Sequence, residues 1–131
     1  MKTNLDSRVD TTHFVLPENL NQRGNMHGGE IMKLMDNVAG LVFIKHCQGD
    51  AVTAAVKEIK MIKPIPGKSV IRCMGEIVST GRTSMHVKVS VWTQDIIKNT
   101  EELVTEGIFI GVGVDENSRP MEVPKVKYIE S

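Results

Sequence analysis

The chain has 131 residues, a formal net charge of zero and only 4 % aromatic residues. That length suits one domain with a real core. Zero net charge and few aromatics argue against nucleic acid, an anionic membrane surface or base-stacking platforms.

The first ten residues, MKTNLDSRVD, are polar and contain no apolar run of the signal-peptide kind. They read as a loose lead-in. Thr12–Leu16 reads as a short strand stopped by Pro17. A glycine-rich segment follows, and then a helix from Glu30 to about Cys47. Its apolar residues recur at Ile31, Leu34, Val38 and Leu41, in steps of three and four. Met32, Met35, Ala39, Phe43 and Ile44 widen that stripe almost all the way round, the pattern of a helix buried on most sides. Glu30 in the first turn and Lys45 and His46 in the last suit the helix dipole. Gln48-Gly49-Asp50 ends the helix.

The period then changes to two. Strands are expected over residues 52–65, 69–79, 84–93 and 104–114. In the third of these, Met85, Val87, Val89 and Val91 share one face. In the fourth, Gly107, Gly111 and Gly113 share a face that lets a helix or another backbone come close. Residues 116–131 read as an irregular tail. One apolar helix followed by a run of strands predicts an α+β fold, an antiparallel sheet wrapped round a central helix. No apolar run approaches the roughly 18 residues of a membrane span. Cys47 and Cys73 lack metal or redox spacing, so no metal site and a cytoplasmic chain with reduced thiols are expected.

The chemistry concentrates in NQRGNMHGGEIMKLMD, residues 21–36. Asp36 is a poor mid-helix residue, and a buried carboxylate needs a partner or a task. From position alone it either pairs with Lys33 or faces solvent at the helix edge, or serves a site. Gly40, one turn on, suits something lying beside it. Gly28 and Gly29 precede the helix, where free N–H groups can cap a loop or bind a polarised oxygen. Gly29 and Asp36 are about 10 Å apart along a straight helix. One small reacting group cannot touch both. A shared site would therefore join the helix start of one chain to the Asp of another, as twofold symmetry allows. GRTSM (81–85) is a further candidate: Arg82, Thr83 and Ser84 bring a cation and two hydroxyls to a turn, able to hold a phosphate.

The combined string Asn21, Gly24, His27, Gly28, Gly29, Met32, Met35, Asp36 resembles the acyl-CoA hydrolase branch of the hotdog-fold thioesterases. The likeness continues through residues 35–47, 51–70 and 79–95. It implies a single hotdog domain over 1–131, dimers whose sheets join, and hexamers built as trimers of dimers. It implies hydrolysis of acyl-CoA to a fatty acid and CoA, with no cofactor because CoA is part of the substrate. Asp36 would be catalytic and Asn21 would work with it across the dimer. The backbone at Gly28 and Gly29 would polarise the thioester carbonyl. The turn at 80–85 would contact CoA through Arg82, Thr83 and Ser84, with His27 also on the substrate side. Some family members have Phe at the His27 position, which implies that His27 is not an obligatory catalyst. Two other readings of this fold are a hydroxyacyl-thioester dehydratase or hydratase, which needs a His paired with an acid, and a non-catalytic acyl-CoA-binding module.

Overall fold

Asp50 to Val114 forms four long strands, and a fifth strand from the N-terminal segment completes their sheet. The computed structural model describes residues 2–130. In chain order the elements are β1 (Val9–Phe14), a 3-10 turn at Pro17–Asn19, α1 (Gly28–Cys47), β2 (Asp50–Met61), β3 (Val70–Thr80), β4 (Ser84–Asp95) and β5 (Thr100–Val114). The sheet order is β1-β3-β4-β5-β2 and every pair is antiparallel. The helix packs on the concave face and touches all five strands. This is the hotdog arrangement.

The period-two reading of β4 holds: Met85, Val87, Val89 and Val91 point inward and are fully buried. The glycine face of β5 also points inward. A Cβ on Gly111 would lie 2.6 Å from the ring of Phe43, so the missing side chain makes room for that ring against the sheet. Phe43 is thus part of the buried core.

Three features differ from the sequence expectation. Residues 2–8 are not loose: Asn4 and Ser7 are buried, and Asn4 exchanges two hydrogen bonds with Ile129. The first strand accordingly begins at Val9, where it pairs with Gly75. α1 ends where the sequence places its end, at Gln48, which takes the αL conformation (φ 52°) and donates its N–H to the Ile44 carbonyl.

The third difference concerns enclosure. The sheet covers only one side of α1. Ile31, Met35, Val38, Ala39, Val42 and Phe43 face it, whereas Leu41 and Ile44 on the opposite side are about half exposed. The sheet edge at β2 is bare in the same way. Val52, Val56 and Met61 are exposed there, and the strand's outer N–H and C=O groups have no neighbouring strand. A long apolar edge of this kind is a template for pairing with another chain. Among the described residues no helix is long and apolar enough to cross a membrane.

Candidate active site

The loop before α1 is tied down at several points. Gly24 takes φ 81°, a turn conformation that favours glycine, and its N–H donates to the Asn21 carbonyl at 3.0 Å. Met26 N–H donates to Ile65 O and His27 N–H to Asn19 O, both at 2.7 Å. The loop is thus held both by the segment before it and by the crossover from β2 to β3.

Asn21 organises the turn with its own side chain. Its Oδ1 accepts from Arg23 N–H at 2.9 Å and from Asn25 N–H at 3.2 Å. Both contacts use the oxygen, so the Asn21 NH2 group has no partner among the described residues and is available to donate. His27 is the N-cap: its Nδ1 accepts from Gly29 N–H at 3.2 Å, and its carbonyl accepts from Glu30 and Ile31 N–H. The two glycines are therefore not equivalent. The Gly29 N–H is occupied by the cap. Gly28 N–H, at the first helical position, has no acceptor among the described residues. A depression of about 310 Å³ opens beside it, lined by Asn21, Gly28, Ile31, Met61, Ile62 and Lys63. Its lining mixes the polar Asn21 and the Gly28 backbone with the apolar Ile31, Met61 and Ile62, groups that suit a carbonyl with an alkyl tail.

Asp36 is not in that depression. It lies exposed at the margin of the helix's buried arc, and its Oδ1 accepts from Thr53 Oγ1 at 2.8 Å. Of the two readings open from position, the chain by itself gives the exposed helix edge, but the partner is Thr53 and not Lys33. Thr53 was invisible to sequence reasoning, since a threonine near the start of a strand is commonplace. The position beside Asp36 at Gly40 is open: a Cβ there would meet nothing within 4 Å.

Arg82, Thr83 and Ser84 sit elsewhere. They form the β3–β4 turn, closed by Gly81 N–H to Ser84 O at 2.9 Å. Ser84 pairs with Val112 and Val52 pairs with Val112 from the other side, so this turn lies at the level of the start of β2. The Gly28 depression lies at the end of β2. Within one chain, then, the structure brings Asn21, His27 and Gly28 together, and Asp36 with Thr53, but leaves the Arg82 turn at the far end of the sheet. His27 has no carboxylate partner among the described residues, so one chain by itself does not assemble the His–acid pair of a hydratase. The described residues also hold no cluster of three metal-ligating side chains.

The thioesterase superfamily matches residues 23–99, more than half of the chain. The chain belongs to the thioesterase superfamily. It is 33% identical over 115 residues to an uncharacterized acyl-CoA thioester hydrolase of Haemophilus influenzae, covering 86% of this chain and 75% of that protein. The acyl-CoA hydrolase of Staphylococcus aureus, solved with butyryl coenzyme A, coenzyme A and coenzyme A disulfide, superposes with a TM-score of 0.96 at 25% identity, over 99% of this chain and 79% of that one. A hexameric broad-specificity acyl-coenzyme A thioesterase, solved as an Asp-to-Ala mutant, superposes at 0.82 with 31% identity, over 87% and 84% of the two chains. The Staphylococcus enzyme has also been solved with one Asn, one Asp or one Thr replaced by Ala. Those three positions have the same spacing along the chain as Asn21, Asp36 and Thr53 here. In this superfamily member two of the three are also joined by a hydrogen bond.

Proposed function

We propose that this thioesterase hydrolyses acyl-CoA to a free carboxylic acid and CoA, in a site completed by two chains. The observation that carries the reading is the Asp36–Thr53 pair, set at the same spacing from Asn21 as in a relative named an acyl-CoA hydrolase. A thiolate leaves readily, so the demanding parts of the reaction are presenting water and stabilising the oxyanion. Gly28 N–H and the Asn21 NH2 group are the free donors at the helix start, and they receive the thioester oxygen. Thr53 pins one oxygen of Asp36 and leaves the other to take a proton from water as general base, or to attack the carbonyl carbon and form an anhydride that water then opens. Either route consumes one water, releases CoA as the thiol, and needs no cofactor.

Asp36 cannot serve the Gly28 of its own chain, because the helix separates them by about 12 Å. The bare β2 edge, with Asp36 and Thr53 beside it, supports a partner strand laid antiparallel along it. That pairing sets the end of one β2, where Gly28 opens, against the start of the other, where the partner's Asp36 and the partner's Thr53 lie, with the partner's Arg82 turn at the same level of its sheet. The same symmetry gives two identical sites per dimer, and three such dimers would form the hexamer. Two free thiols suit the reducing cytoplasm.

Release of thiol from a panel of acyl-CoAs tests the reading. Wild-type chain should release CoA, and Asp36→Ala should lower turnover by several orders of magnitude with unchanged thermal unfolding. Near-wild-type turnover in Asp36→Ala would remove Asp36 from the mechanism. Under single turnover in oxygen-18 water, label entering the enzyme carboxylate would select the anhydride route.

A further inference from the structure

His46 stands in the last turn of α1, where an exposed cation would suit the dipole, yet its side chain is fully buried. Its Nε2 lies 2.6 Å from the carbonyl oxygen of Pro124. A carbonyl only accepts, so Nε2 carries the proton and donates. Nδ1 is buried with no partner among the described residues. An apolar side chain of similar size would avoid the cost of that orphaned nitrogen, so the value of a histidine here lies in the bond from Nε2.

That bond fastens a strap. From Met121 to Lys127 the chain crosses from β5 to the C-terminal end of α1. On one side it grips the Gly81–Ser84 turn. Val123 N–H donates to Arg82 O at 2.9 Å, Val126 N–H to Thr80 Oγ1 at 3.2 Å, and Glu122 faces the Arg82 guanidinium at 3.5 Å. On the other side Lys127 N–H donates to Lys2 O at 2.8 Å, beyond which Asn4 holds Ile129. Pro124, on His46, lies between these attachments. Arg82 itself is an exposed side chain on a short turn, so its direction is set by what holds its backbone and its guanidinium. The strap holds both the Arg82 carbonyl and its guanidinium, while β5 holds the next residue of the turn through Gly113 N–H to Thr83 O at 3.1 Å.

We propose that His46 is a positioning residue for the CoA end of the substrate: by holding Pro124 it fixes the strap against the β3–β4 turn and so sets where Arg82 points. The inference rests on the reading that this turn contacts CoA. It is tested with His46→Phe, which keeps the bulk and loses the donor, and His46→Gln, which can restore it. Steady-state thiol release is measured with an acyl-CoA and with the same acyl group on N-acetylcysteamine, which lacks the nucleotide. Amide hydrogen exchange is followed over residues 121–127. His46→Phe should speed exchange at Val123, Val126 and Lys127 and raise KM for acyl-CoA about fivefold, the effect of one hydrogen bond. It should leave kcat and the N-acetylcysteamine thioester unchanged, and His46→Gln should recover most of the KM. Arg82→Ala is the control on the underlying reading: no rise in KM for acyl-CoA would remove the turn from CoA binding. If Arg82→Ala raises KM while His46→Phe loosens the strap without raising it, the positioning role is overturned. Equal losses on both thioesters would also overturn it, as a general structural effect. Should His46→Phe fail to fold, Asn4→Ala frees the far end of the same strap, and the same split between the two thioesters is required of it.

Discussion

Replacing Thr53 by Val asks whether its hydroxyl steers the reaction or merely decorates an edge strand. Val keeps the branched Cβ that suits β2 and removes only the donor to Asp36 Oδ1 at 2.8 Å. Both side chains belong to exposed residues of the isolated chain, so the loss of stability should stay within about 1 kcal/mol. The effect on rate should be larger. A hydrogen bond to an ionised group is worth about 1.5–3 kcal/mol once water is excluded by substrate and partner. At about 1.4 kcal/mol per tenfold, kcat should fall roughly tenfold to a hundredfold. Thiol release at saturating acyl-CoA reads the rate, and thermal unfolding reads the fold. Thr53→Ser should recover most of the rate. Because Thr53 acts through the carboxylate, adding Thr53→Val to Asp36→Asn should cost little more than Asp36→Asn alone. A Thr53→Val enzyme with wild-type kcat and wild-type Tm would refute the reasoning. So would a loss that adds in full on top of Asp36→Asn.

Leu41→Glu places a charge on the half-exposed apolar side of α1 and should give a monomer by sedimentation, with turnover lost although the isolated chain keeps its circular dichroism; a fully active monomer would end the two-chain site. Gly111→Ala drives a methyl to 2.6 Å from the buried Phe43 ring and should cost about 1–3 kcal/mol in urea unfolding, part of it recovered by adding Phe43→Leu. Burial pushes the Cys73 thiol up to about 12, so only the partly exposed Cys47 should react with iodoacetamide in the native protein near pH 8, and both after unfolding; rapid labelling of Cys73 in the folded chain would contradict that burial.

The helix and the four long strands were legible because each carries a period that one buried face imposes on it. β4 alternates along its length, and α1 repeats in threes and fours. The termini were not legible. Nothing in MKTNLDSRVD announces that Asn4 will be buried and will hold Ile129, since that contact joins the two ends of the chain and has no local pattern. His46 was hidden for the same reason: its helical position predicts an exposed cation, and only the strap crossing above it makes it a buried donor.

The stretch from Asn21 to Asp36 shows the division most sharply. The sequence by itself determined that a glycine turn leads into a helix, that Asp36 is out of place in an ordinary helix, and that about 10 Å of helix separates the two halves of the motif. Those follow from residue type and helical rise, which are local. Tertiary structure alone decided which atoms are free. Asn21 spends its oxygen on its own turn, His27 occupies Gly29 N–H and leaves Gly28 open, and Thr53 reaches Asp36 from a strand that begins after the helix has ended. Hydrogen bonds of that kind depend on where the fold sets each backbone, and residue order does not encode them one by one.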